Sequence, residues 1–171
     1  MDLETFKIEI LPLKNKLFRF AGSFLNQYAE AEDVVQEVFI RLWARRDKLG
    51  KYKSIEAFAM VITRNLCLDR MKSKGYKTDE WTERNDIHVS HTPHTQMEIK
   101  DSFAMVKQIL ETLPEQQSSI VHLRDIEGYE YNEIAEMLGI SENTIRVNLS
   151  RARKKIRDVM IKKYNYEYTE N

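Results

Sequence analysis

Apolar residues recur at helical spacing along most of the chain. Over residues 3–27 this spacing predicts a first helix, and Pro12 predicts a kink or a restart within it, because proline lacks the backbone donor of a helix interior. A second helix is predicted over residues 30–46. Its apolar side chains fall on one face of a helical wheel, namely Val35, Val38, Phe39, Leu42 and Trp43. With a third helix from Ile55 to about Lys74, capped by Ser54, these stretches predict one small domain.

The helical pattern is lost between about residues 75 and 96 and then returns. The lost stretch is polar and predicts a linker, whereas the later stretch predicts a second domain of about four helices. In that domain Pro114 suits the first position of a helix over 115–126, and Gly128 ends it. We therefore predict an all-α protein with two small helical domains joined by a polar linker. The predicted ranges are 1–75, 76–96 for the linker, 97–163, and 164–171 for a polar, frayed tail.

Composition supports the all-α class and indicates the cellular compartment. Five Gly and three Pro in 171 residues leave little turn chemistry for a many-stranded sheet. The start, Met1-Asp2-Leu3-Glu4, lacks the pattern of a signal peptide, and no run approaches the roughly 18 apolar residues that cross a bilayer. We therefore expect a cytoplasmic protein. Its single cysteine, Cys67, lies in an apolar helical stretch and is predicted to be a packed thiol.

Charge is distributed very unevenly, although 27 basic residues balance 27 acidic ones. Residues 41–77 contain 11 bases and 3 acids, for a net charge of +8, and residues 140–163 contain 8 and 2, for +6. The rest of the chain is acidic, with −3 over residues 1–40. Two basic blocks separated by acid indicate two contacts with a polyanion.

The stretch 131–156 has the pattern of a helix-turn-helix. A short helix over 132–138 is followed by Gly139, which permits a sharp turn, and by Ser141, which can cap the last helix. On that helix an apolar stripe leaves a basic face outward, suited to the major groove because Arg can contact guanine edges and Lys and Arg neutralise phosphates. The candidate DNA-binding residues are Asn143, Thr144, Arg146, Val147, Ser150, Arg151 and Lys154.

Three motifs, in order along the chain, carry a family resemblance. The segment from Asp33 to Trp43, DVVQEVFIRLW, is similar to the most recognisable segment of bacterial sigma factors. The segment from Phe58 to Arg70, FAMVITRNLCLDR, resembles the promoter-melting and minus 10 segment of their extracytoplasmic-function group. Leu113-Pro114, Glu133-Ile134-Ala135, Gly139-Ile140-Ser141 and Thr144-Ile145-Arg146 match its minus 35 domain.

The resemblance implies a transcription initiation factor and assigns roles to residues. Asp33, Gln36 and Glu37 would dock on core RNA polymerase, while Arg64, Asn65, Arg70 and Lys72 would contact the minus 10 element. The second domain would read the minus 35 element of promoter DNA. The family commonly has Trp where this chain has Phe58, which leaves open whether Phe58 packs in the core or contacts DNA. An anti-sigma factor, often membrane-anchored, is the regulator that the resemblance implies.

Some features of the sequence also suggest other functions. The alternative is a helix-turn-helix regulator that binds duplex operator DNA without a sigma role. His88, His91 and His94 recur every third residue and invite a metal site, but Thr92-Pro93 breaks any helix there and no cysteine or fourth ligand lies nearby. We therefore predict no metal and no cofactor. The sequence shows no catalytic constellation or phosphate-binding glycine loop, which predicts a protein that is not an enzyme.

Overall fold

The computed structural model describes residues 1–73 and 108–169, with side chains through residue 162, and these residues contain helices and turns but no strand. The chain divides into two compact units, Met1–Asn85 and Asp86–Asn171. The predicted all-α class is confirmed. The division falls within the predicted linker, whose own structure lies outside the described residues, as do His88, His91 and His94.

Over the described residues 1–73, the first unit contains four α-helices. Their bounds are α1 Leu3–Glu9, α2 Lys14–Gly22, α3 Tyr28–Ala44 and α4 Ile55–Ser73. A 3₁₀ turn, Leu11–Leu13, contains Pro12 and separates α1 from α2, so the predicted restart is confirmed. A second 3₁₀ segment, Arg46–Lys51, lies between α3 and α4.

The core of the first unit lies between α2, α3 and α4, which pack on one another. Each contributes fully buried side chains, among them Leu17, Phe20, Val34, Val38, Leu42 and Met60. Phe6 of α1 packs edge-on against Trp43, with ring centroids 5.1 Å apart. Cys67 is buried in this core, as predicted, and burial raises the pKa of its thiol to about 12, so it remains protonated.

Within residues 108–169, the described part of the second unit, three further helices follow a helical segment at 108–111. They are α5 Glu115–Val121, α6 Tyr131–Leu138 and α7 Glu142–Thr169, and a π-helical turn, His122–Ile126, extends α5. Both α5 and α6 pack on α7. The buried core is supplied chiefly by Leu113, Ile120, Leu123, Ile134, Ile145, Leu149 and Ala152.

One local prediction for the second unit was wrong. Pro114 was expected at the first helical position, but its ψ of 144° is extended, so it is the N-cap and the helix begins at Glu115. The backbone of α7 is helical to Thr169, past residue 164, where the polar tail was predicted to begin. A polar sequence with no Gly or Pro contains nothing that ends a helix, which accounts for this extension.

Candidate nucleic-acid interface

The turn between α6 and α7 has the geometry of a helix-turn-helix. Gly139 adopts φ 66° and ψ 34°, a left-handed conformation that glycine adopts at little cost, and its N–H donates to the Ala135 carbonyl at 2.9 Å. Ser141 caps α7, since its Oγ accepts the Thr144 N–H at 3.1 Å. The turn and the cap are therefore confirmed at the residues that the sequence indicated.

The two faces of α7 divide as the sequence predicted. Ile145, Leu149 and Ala152 are buried against α5 and α6. Six of the seven candidate DNA-binding residues are exposed on the other side: Asn143, Arg146, Val147, Ser150, Arg151 and Lys154. Val147, 40% exposed, places an apolar group among these cations. The face therefore offers guanidinium, ammonium, hydroxyl and apolar groups within about three helical turns.

Thr144, the seventh candidate, has its polar groups bonded within the capped turn. Its Oγ1 lies 2.8 Å from Ser141 Oγ, and its carbonyl accepts Asn148 Nδ2 at 2.9 Å. The side chain is half-buried at the start of α7. Thr144 thus stabilises the capped turn in addition to any contact with DNA.

Several contacts around α7 were not apparent in the sequence. Arg153 donates to Asp125 of the π turn through Nε at 3.0 Å and Nη2 at 2.5 Å, and this pairing raises the pKa of Arg153. Lys155 donates to the Thr112 carbonyl. Two of the basic residues of α7 therefore fasten the helix to its own unit. Wheel position alone does not separate Arg153 from the candidate Arg146, because seven residues make about two turns and bring both to nearly the same side of α7.

The minus 10 candidates on α4 lie on different sides of the helix. Asn65 and Lys72 are exposed and seven residues apart, so two helical turns bring them to one face. Arg70 is turned toward α3 instead. It donates to the Glu30 carbonyl at 3.3 Å and lies 3.8 Å from the Asp33 carboxylate. Arg64 is half-buried. Asn65 and Lys72 thus share one exposed face of α4, whereas Arg70 contacts α3.

Phe58 is half-buried at the start of α4 and stacks on Tyr52. The ring centroids are 3.9 Å apart and the planes differ by 16°. Tyr52 is 39% exposed, and it lies between Lys51 and Lys53. The aromatic pair therefore occupies the margin of the core, with one ring open to solvent.

The proposed docking residues line the outer side of α3. Asp33 and Gln36 are exposed, and Glu37 is partly so. Glu37 accepts a hydrogen bond from Arg41 Nε at 2.7 Å, four residues later on the same helix. Asp33 is shared with the α4 contact to Arg70. The face is acidic and polar, and each of its two carboxylates has an arginine beside it.

Within 1–73 and 108–169 no group of three or more His, Cys, Asp or Glu side chains could hold a metal ion. No helix in these ranges is long and apolar enough to cross a bilayer.

An exposed basic face on the second helix of a helix-turn-helix is typical of the class of helical DNA-binding proteins, and comparisons with known proteins identify the family. The family model of sigma-70 region 2 matches residues 10–76, and that of sigma-70 region 4 matches residues 103–156. The chain belongs to the sigma-70 family of RNA polymerase sigma factors, in its extracytoplasmic-function (ECF) group.

Individual relatives agree with this assignment. The chain is 30% identical over 151 residues to the ECF RNA polymerase sigma factor SigE of Mycolicibacterium smegmatis, which covers 86% of this chain and 58% of that protein. It is 26% identical to the RNA polymerase sigma-H factor of Pseudomonas aeruginosa, in an alignment that covers 91% of this chain and 86% of that protein. Some relatives are therefore longer, since the chain spans little more than half of SigE.

The fold is also that of a solved sigma factor. The sigma factor RpoE from Bartonella quintana, determined in complex with the anti-sigma factor NepR, matches with a TM-score of 0.74 at 23% identity. The match covers 92% of this chain and 98% of that one.

Proposed function

We propose that this protein is an ECF-type sigma factor that binds core RNA polymerase and directs promoter-specific initiation through the minus 10 and minus 35 elements. The observation that carries the proposal is the presence of both sigma units in one chain, with an exposed basic face on the helix-turn-helix of the second. A simple duplex-binding regulator needs only the second unit. The region 2 match in the first unit favours the sigma role over the operator-binding alternative.

The role is one of binding and not of chemistry. Cations on α7 neutralise phosphates and Arg146 can read a base edge, while Asn65 and Lys72 on α4 suit an unpaired strand, which needs a cation for the backbone and an amide for a base. Asp33, Gln36 and Glu37 supply the polar docking face for polymerase. The protein acts in the cytoplasm, where polymerase and promoter meet. Because the solved relative was captured with an anti-sigma factor, we include such a regulator among the proposed partners.

Reconstitution with purified core polymerase tests this function. Core enzyme plus the protein should start transcripts at promoters selected from a random library, whereas core enzyme alone should not. A regulator would instead bind duplex DNA by itself and start no transcript. Absence of any selected promoter together with tight duplex binding by the protein alone would replace the sigma role with the regulator role.

Separating the two interfaces sharpens the test. Arg146→Ala with Arg151→Ala should weaken minus 35 binding roughly tenfold or more and leave core association intact. Glu37→Lys should do the opposite, but it also places Lys beside Arg41, which destabilises a helix by a few tenths of a kcal/mol. The double variant Glu37→Lys, Arg41→Glu restores the pair within α3 and still reverses position 37. If the double variant binds core normally, Glu37 does not dock.

A further inference from the structure

One aromatic ring of the second unit lies against two guanidinium groups. Tyr131, the first residue of α6, has its ring centroid 4.7 Å from Arg124 Cζ and 4.9 Å from Arg146 Cζ. The face of an aromatic ring is negative and attracts a cation within about 6 Å. Arg124 belongs to the π turn and Arg146 to α7. The first helix of the motif therefore holds a side chain of the second helix, and that side chain is a candidate base reader.

Each guanidinium also has a polar partner of its own. Arg124 donates to the Tyr129 carbonyl at 2.7 Å and lies 3.1 Å from the Glu130 carboxylate. Arg146 lies 2.8 Å from the Glu142 carboxylate one turn earlier on α7. With Tyr131 and Glu142 as neighbours, Arg146 has a defined position although its side chain is 54% exposed. An exposed arginine without such neighbours samples many rotamers.

We propose that Tyr131 is a positioning residue for sequence readout, a role that rests on the proposed function. Its ring holds the guanidinium of Arg146 in the orientation that a guanine edge requires. A bidentate contact to guanine needs the guanidinium plane aligned with the base, so ordering before binding raises both affinity and discrimination. A phosphate contact needs only a nearby positive charge. The effect of Tyr131 is therefore confined to the base pair that Arg146 reads and does not extend to Lys154.

The test uses core polymerase reconstituted with full-length variants. The probe is a duplex carrying the minus 35 sequence that the wild type selects from a random library, together with its single base-pair substitutions. Tyr131→Leu should weaken binding about three- to fivefold and reduce discrimination at one base pair, whereas Tyr131→Phe should remain within about twofold of the wild type. With Arg146→Ala already present, Tyr131→Leu should cause no further loss. With Lys154→Ala present, the full loss should persist.

A second variant distinguishes the electrostatic effect of the Tyr131 ring from its packing. Pentafluorophenylalanine at position 131 keeps an apolar ring but removes its negative face, so it should behave like Leu in binding while retaining the thermal midpoint of Tyr131→Phe. Equal binding by the pentafluoro and Phe variants, or equal losses on both arginine and lysine backgrounds, would overturn the positioning role. If Arg146→Ala itself leaves binding unchanged, its assignment as a base reader fails and the positioning role with it. If the wild type selects no sequence at all, the sigma function fails first.

Discussion

At the scale of single residues, Gly139 sets the angle at which α7 leaves α6. Its φ of 66° is a conformation that costs an ordinary L-residue roughly 1–2 kcal/mol. A Cβ placed on Gly139 would meet no atom within 4 Å, so the cost of substitution is conformational and not steric. Glycine is therefore favoured at position 139 by its backbone freedom and not by a lack of space for a side chain.

We expect Gly139→Ala to lower the free energy of unfolding of the second unit by about 1 kcal/mol, measured by urea denaturation. Gly139→Asn is the matched control at the same position, because Asn tolerates the left-handed region better than Ala, and it should lose less. Gly22→Ala, within helix α2, should be neutral or stabilising, since its φ is helical. Equal stability of the Ala and Asn variants would mean that the turn relaxes to another conformation.

Residue types alone allowed some of these assignments and not others. Gly139 and Ser141 could be assigned from the sequence because a turn and a cap are local and require particular residues. Cys67 could be assigned for a similar reason, from its apolar neighbours. The contact between Tyr131 and Arg146 spans 15 positions and depends on how α6 crosses α7, which local periodicity does not specify.

At the scale of elements, Arg70 joins α4 to α3. The residue was proposed for minus 10 DNA, yet its guanidinium bonds to the Glu30 carbonyl and faces Asp33, a proposed docking residue. Its side chain is 32% exposed and that of Asp33 is 65% exposed, so water screens the pair. A structural contribution of about 0.5–1 kcal/mol follows, in addition to any contact with a DNA strand.

We therefore expect Arg70→Ala to reduce the free energy of unfolding of the first unit by about 0.5–1 kcal/mol in urea, and also to weaken binding to a single-stranded minus 10 oligonucleotide. Lys72→Ala is the control. The Lys72 side chain is exposed and forms no ion pair among the described residues. Lys72→Ala should therefore weaken binding to the oligonucleotide without changing the free energy of unfolding. Identical stability of both variants would show that the α3 contact contributes nothing.

Helix positions followed from the sequence where an apolar period was strong. Over α3 and α4 the predicted ends differ from the observed ones by at most two residues, because each has a long buried stripe. Pro114 was misassigned because proline suits both the cap and the first turn. Ion pairs such as Arg153 with Asp125 were inaccessible, since they join elements 28 positions apart.

At the scale of the whole molecule, the balanced charge conceals two basic blocks that coincide with the two proposed DNA readers. The block over 41–77 includes Asn65 and Lys72 of α4, and the block over 140–163 includes the outward face of α7. Acidic segments lie beside both, and we expect a free chain of zero net charge to gain little from non-specific attraction to DNA. Under the proposed function, selectivity then comes from engaging both elements at once, so we expect the distance between them to be decisive.

We therefore expect transcription by the reconstituted holoenzyme to depend sharply on the spacer between the minus 35 and minus 10 elements. Inserting about 5 base pairs turns one element by half a helical turn of DNA, so only one reader can engage and initiation should fall at least tenfold. Inserting about 10 base pairs restores the helical face but not the distance, and it should rescue little. Run-off transcription on a spacer series with both elements unchanged measures this. A flat profile would mean that a single unit supplies promoter recognition. Mutation of only one of the two elements should then abolish initiation.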